Sequence, residues 1–262
     1  MVSYTLEGRV ALVTGASEGI GYSISASLAE RGASLVLLAR NHEKLRAAYD
    51  NLSSYGGPHL SIPTNVGVWE DVEKAVDTAW GTYGKIDILV NNAGIAPLDL
   101  LKNLSPSTIL AAVQTNLLGP LHFYKKLIPL FELQQSGVVV DIISQAGVKI
   151  MDQNGVYAPT KFGHRALSLV VEQELPFLTI YRIYPGVVRT KAWDKETSPL
   201  KRTIKESSDK LHPDQVGRFV ADIIENPSLA DTHDVMLQPQ KDGGMEKVYL
   251  SNTFMEVKEQ KK

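Results

Sequence analysis

The chain has 262 residues, with a hydrophobic share of 44% and a charged share of 21%, a balance that excludes a disordered or low-complexity protein. A formal charge of -2 gives no overall attraction to nucleic acid or to an anionic membrane surface. The absence of cysteine excludes disulfides, thiolate catalysis and zinc–thiolate sites together.

The opening residues, MVSYTLEGRVALV, carry neither a basic leader nor a sustained apolar core with a small-residue cleavage site. No apolar run approaches membrane-spanning length. The expectation is a cytoplasmic protein with no nucleic-acid or membrane partner. It is expected to form a single domain over residues 1–262, with a core over about 7–240.

Arg9 to Thr14 is a short aliphatic run of the kind buried on both faces of a parallel sheet. It runs straight into Gly15-Ala16-Ser17-Glu18-Gly19-Ile20-Gly21 and then an amphipathic helix through Glu30. Strand, glycine turn and helix together make a pyrophosphate site, because backbone amides at the helix start face the ligand and glycines let it approach.

Ser34 to Ala39 is a second strand, ending in Ala39-Arg40-Asn41. An acid here would bind a ribose 2′-hydroxyl, whereas an arginine suits a 2′-phosphate. Arg40 therefore favours NADP(H) over NAD(H), against the negative charge of Glu18.

A polar helix follows over about 41–54, then a third strand from His59 to Thr64 that ends at Asn65-Val66. After a helix from Trp69 to Tyr83, Ile86 to Val90 forms a fourth strand and delivers Asn91-Asn92-Ala93-Gly94. Strands alternating with helices specify a doubly wound parallel sheet of about seven strands, with helices on both faces and ligands at the strands' carboxyl ends.

A long apolar helical region from Ser105 to about Phe131 carries Thr115-Asn116 within it, and Gly119-Pro120 is expected to kink or loosen it. Gly137 to Ser144 is the fifth strand. The next helix begins near Tyr157, because Pro159 fits only in a first turn, and it places Lys161 four residues on, on the same face. An ammonium beside a phenol favours phenolate, so Lys161 is expected to lower the Tyr157 pKa.

Thr179 to Tyr184 is the sixth strand and ends in Pro185-Gly186-Val187-Val188-Arg189-Thr190. Residues 192–212 have no strand pattern and read as a lid over the site. Pro213 to Glu225 is a helix and Asp234 to Leu237 a last strand, with residues 240–262 left as a polar tail. Six histidines show no ligand spacing, so no metal is expected.

Over about residues 7–240 the chain resembles the short-chain dehydrogenases/reductases in their single-domain form. The matching motifs are T-G-x-x-x-G-x-G at Thr14 to Gly21, N-N-A-G at Asn91 to Gly94, Asn116, Ser144 ahead of Y-x-x-x-K at Tyr157 to Lys161, and P-G-x-x-x-T at Pro185 to Thr190. Two features depart from the family pattern: a short segment between Leu175 and Pro185, and a late Asp242-Gly243-Gly244.

The resemblance implies an NADP(H)-dependent oxidoreductase that interconverts a carbonyl and a secondary alcohol by hydride transfer. Tyr157 would be the acid and base, Lys161 its partner and a ribose ligand, Ser144 the stabiliser of the substrate oxygen, and Asn116 the holder of a water beside Lys161. The cofactor would be held by Gly15, Ser17, Gly19, Ile20, Gly21, Arg40, Asn65, Val66, Asn92, Ala93, Gly94, Pro185, Gly186, Val188 and Thr190. Gln145, Ile150, Met151 and Trp193, with Pro97 and Leu98, are candidates for lining the site of a small-molecule substrate. A homodimer or homotetramer paired through the long helices is expected. The rival reading is a catalytically silent nucleotide-binding regulator or assembly subunit on the same fold.

Overall fold

The structure, a computed structural model, describes residues 6–55, 57–191, 198–229, 233–240 and 243–250. Its strands are β1 (Val10–Thr14), β2 (Ser34–Ala39), β3 (Leu60–Pro63), β4 (Ile88–Asn91), β5 (Gly137–Ile142), β6 (Leu178–Pro185), β7 (Asp234–Pro239) and β8 (Met245–Tyr249). They form one sheet in the order β3-β2-β1-β4-β5-β6-β7-β8. All neighbours are parallel except β8, which pairs antiparallel with β7. The strand order reverses direction between β1 and β4, and ligands bind outside the strand ends at such a switch.

Both faces of the sheet are covered. β1 and β2 are buried at every position, which is why they read as unbroken aliphatic runs. On one face Ala11, Val13, Leu35 and Leu37 pack under α1 (Gly19–Glu30), α2 (His42–Leu52) and α8 (Pro213–Glu225). On the other, Leu12, Val36, Leu38 and Leu89 pack under α3 (Trp69–Tyr83) and with Phe123, Leu127, Phe131 and Val171. Local chemistry sets the helix ends. The Asn41 side chain accepts from Lys44 N at 2.8 Å to start α2, and Gly84 ends α3 in the left-handed region at φ 69°.

The expected long helix is two helices, α4 (Pro106–Val113) and α5 (Gly119–Gln134), joined by a π-turn at Gln114–Leu118. Gly119-Pro120 opens α5, so the loosened turn lies just ahead of that pair and contains the buried Thr115 and Asn116. Helix α6 (Tyr157–Glu174) starts at Tyr157, with Pro159 inside its first turn.

Two expectations need correction. The sheet has eight strands, because residues 245–249 of the expected tail form β8, which pairs Val235 with Tyr249 through Pro239 with Met245. The sequence placed no helix in the segment read as a lid, and that segment contains α7 (Pro199–Glu206), capped by the Ser198 side chain, with Leu211 bridged to Val188. Residues 192–197, and with them Trp193, lie outside the described residues, as do Asp242 and 251–262.

One row of the sheet is polar across four adjacent strands. Asn91, Asp141, Arg182 and Asp234 are successive Cα partners across β4, β5, β6 and β7. Asp141 and Arg182 are 0% and 1% exposed, Asp141 on a strand otherwise built from glycine, valine and isoleucine.

Candidate active site

The glycine turn after β1 is closed by backbone and amide contacts that leave no room for side chains. A Cβ on Gly21 would stand 2.3 Å from Gly15 O and 2.4 Å from Asn92 Nδ2. Gly19 has φ 62°, and a Cβ there would meet Thr190 Cγ2 at 3.2 Å, which brings the segment after β6 against the turn. Asn92 Nδ2 donates to Thr14 O at 2.8 Å, and Thr14 Oγ1 accepts from the backbone N–H groups of Asn92 and Ala93 at 2.9 and 3.0 Å. The sequence placed Thr14 at the head of the glycine motif but gave it no role; the structure shows its hydroxyl tying β4 to the turn.

Arg40 is exposed at the end of β2 and forms no ion pair among the described residues. Glu18, which opposes a phosphate, is held by Lys44 Nζ at 3.0 Å from each carboxylate oxygen. Lys44 is a second residue that the sequence reading passed over, since its partner lies 26 positions away.

Not all of the proposed cofactor residues turn side chains to the cleft. Val66 and Val188 are buried at 5% and 4% exposure, Val188 within the core beneath α1 and α8. Only their backbone can face a ligand. Asn65 binds its own turn, accepting from Gly67 N at 3.2 Å. Gly186 N is bound to Leu237 O at 2.8 Å.

Ser144 ends β5 with φ 117° and ψ 154°, a region that glycine occupies at ease and serine does not. Its hydroxyl accepts from Ala146 N at 3.2 Å and contacts the half-buried Tyr157 at the start of α6. One turn along, Lys161 is 4% exposed and its Nζ donates to Ile142 O at 2.9 Å. Asn116 grips the loop after β4, with Oδ1 accepting from Ile95 N at 2.8 Å and Nδ2 donating to Ile95 O at 2.9 Å and Thr160 Oγ1 at 3.1 Å. A Cβ on the exposed Gly94 would lie 3.4 Å from Asn116 Oδ1 and 3.6 Å from Lys161 Nζ, so this glycine borders both.

The expected lowering of the Tyr157 pKa by Lys161 is not what this geometry gives. Burial pushes the phenol up and the Ser144 hydroxyl pulls it back in part, while the lysine is committed to a backbone carbonyl. Burial pushes Lys161 itself down to about 8, with Asp141 opposing the shift. The arrangement is a serine–tyrosine hydroxyl pair over a buried amine that titrates within reach of neutral pH, a set able to hand a proton to an oxygen placed between the hydroxyls.

Among the candidate substrate residues, Gln145 lies at the cleft, its Nε2 3.1 Å from where a Gly186 Cβ would stand. Ile150 and Met151 are 85% and 48% exposed and line an open groove of about 480 Å³ with Leu101 and Phe162. Neither Ser144 nor Tyr157 lines that groove. Leu98 is 4% exposed and packed. Among the described residues no three acidic or histidine side chains group as a metal site, and no helix is long and apolar enough to cross a membrane.

A model of the short chain dehydrogenase family matches residues 9–201. An uncharacterized oxidoreductase of Listeria monocytogenes is 32% identical over 243 residues, spanning 90% of this chain and 98% of its own. The alcohol dehydrogenase of the archaeon Thermococcus sibiricus, complexed with 5-hydroxy-NADP, superposes with a TM-score of 0.79 at 27% identity, over 88% of this chain and 96% of that one. A short chain dehydrogenase/reductase of Burkholderia phymatum in complex with NAD shares the fold, with a TM-score of 0.78 at 23% identity over 87% and 92% of the two chains.

Proposed function

The chain belongs to the short-chain dehydrogenase family, and from that premise we propose that it interconverts a carbonyl and a secondary alcohol on a small molecule, with NADP(H) as cofactor. The observation that carries the reading is the meeting of the Ser144 and Tyr157 side chains, one helical turn from the buried Lys161, at the same strand ends that carry the glycine turn.

The glycine turn fits a pyrophosphate, because side chains are excluded from the one place where the phosphates would meet backbone amides. Gly15, Ser17, Gly19, Ile20 and Gly21 would hold it, Asn92 to Gly94 would line the cleft, and Arg40 would pair with a 2′-phosphate. The Thermococcus sibiricus complex with 5-hydroxy-NADP supports that choice. When bound, the nicotinamide supplies or accepts the hydride. Tyr157 gives the proton to the substrate oxygen in reduction and takes it in oxidation. Ser144 donates a hydrogen bond to that oxygen, where charge develops in the transition state. Lys161, held by Ile142 O, would present its ammonium to the ribose. Asn116 keeps the β4 loop and Gly94 in place beside Lys161. Copies of the chain pair through α4, α5 and α6, whose solvent side exposes Leu110, Leu121, Leu133 and Val170.

The test mixes purified protein with NADPH and a panel of ketones and follows nicotinamide absorbance. Tyr157→Phe is expected to lower kcat by about 10²–10⁴-fold with NADPH affinity kept. An unchanged rate in that variant overturns the assignment, and cofactor binding without turnover of any ketone by the parent protein would favour the catalytically silent reading.

A further inference from the structure

Beneath Lys161 lies a polar cluster that the proposed chemistry leaves unused. Asp141 is 0% exposed on β5, on the face covered by α5 and α6. Its Oδ1 accepts from Asn91 Nδ2 at 2.9 Å and its Oδ2 from the Tyr124 hydroxyl at 2.7 Å. His164, 1% exposed and three residues past Lys161, sets Nε2 3.0 Å from Asp141 Oδ1. The contact is close but out of line, and neither ring nitrogen has a hydrogen-bond partner among the described residues. The residue after Asp141 is Ile142, whose carbonyl receives Lys161 Nζ.

Enclosing a carboxylate here carries a desolvation cost that its partners must offset. The rest of β5 reads Gly137-Val138-Val139-Val140 and Ile142, so an aliphatic residue would pack in the same place. A charge retained at such a cost, one residue from the group that holds Lys161, has a local object. We propose that Asp141 is a positioning residue for Lys161: its carboxylate, fixed by Asn91 and Tyr124, supplies the negative field that keeps the buried amine an ammonium. The inference rests on the reading that Lys161 serves the site as a cation.

Every charged or titratable group facing the cluster fits this division. Tyr124 comes from α5, Lys161 and His164 from α6, and Arg182 from β6, where it is turned to Asp234 and Glu172. Burial pushes the Asp141 carboxyl up, and its close neighbours His164, Tyr124 and Ser168 outweigh it, leaving the group below the usual carboxylate range. Burial strips Lys161 of proton affinity, and among the described residues Asp141 is the charge that restores part of it. Removing the Asp141 charge therefore moves Lys161 deprotonation to lower pH.

Lysine carrying a ¹³C label at Cε reads this directly, with the Lys161 signal identified as the one missing in Lys161→Arg. Its midpoint is expected near 8 in the parent protein and about one pH unit lower in Asp141→Asn. The alkaline limb of kcat should move with it. A merely structural carboxylate would lower Tm and leave the midpoint in place, and that outcome in a folded Asp141→Asn overturns the proposal. Asp141→Ser serves where the amide variant does not fold. The titration needs no turnover, so absence of any active ketone would sink the proposed reaction and leave this inference decided on its own measurement.

Discussion

On the proposed NADP(H) reading, Arg40 and Lys44 favour a 2′-phosphate and Glu18 opposes it, with Lys44 bound to Glu18. The Lys44–Glu18 pair is 48% and 45% exposed on its two sides, so solvent screens it and it adds well under about 1 kcal/mol to stability. Its consequence is local, since Lys44 cancels the carboxylate that would repel the cofactor. Arg40→Asp is expected to cut NADPH affinity by about tenfold or more and to raise NADH affinity, and Lys44→Met to cut NADPH affinity a few-fold by unmasking Glu18. Fluorescence titration with both nucleotides checks this; equal NADPH binding by Arg40→Asp and the parent would remove the arginine from the site. The glycine turn, Ser144, Tyr157 and Lys161 were legible because each needs its residue type at a fixed offset from a strand end. The partners of Glu18, Asn116 and Asp141 were not, since each contact joins residues distant in sequence. The backbone strain at Ser144 was equally hidden, because a serine ending a strand looks like any turn residue.

Element boundaries followed the same logic. Helices α3 and α8 fall where their apolar spacing put them, with Pro213 opening the latter. The strand β8 was hidden because Met245-Glu246-Lys247-Val248-Tyr249 is short, half-exposed and charged, and it gains its structure only from the edge of β7. Helix α7 was hidden by mixed charges on both sides of its short apolar stripe. The π-turn at Gln114–Leu118 shows what the polar pair inside the long helix was for. A widened turn pushes Asn116 out of the helical ladder, where it can take both backbone groups of Ile95. Asn116→Leu leaves those groups and Thr160 without their partner and should cost about 2–3 kcal/mol, a fall in Tm of roughly 5–10 °C for a chain of this size. Calorimetry checks the loss, and faster amide exchange at Ile95 would locate it; an unaltered Tm would mean that water replaces the amide.

Across the whole molecule the strand–helix rhythm made the parallel sheet legible, but nothing in that rhythm announced the polar row through its middle. Arg182 donates from Nε and Nη2 to Asp234 Oδ2 at 2.8 and 2.7 Å and reaches Glu172 at 3.0 Å, while Tyr184 donates to Asp234 Oδ1. Arg182→Met strands a buried carboxylate and should cost about 3–5 kcal/mol, whereas Arg182→Met with Asp234→Asn should recover most of it. Chemical denaturation of the single and double variants measures the difference, and additive losses would show that the two do not act as a pair.

That row also works as a datum line. In a parallel sheet a slip of one position would swing Arg182 to the opposite face, away from its carboxylates and into aliphatic packing, so β4 to β7 have only one alignment in which every ion is answered. Asn92, Ser144 and Pro185 leave the sheet within three residues of that line on three different strands. Their common height at the rim of the cleft is thus fixed from below, by ions that never meet the ligand.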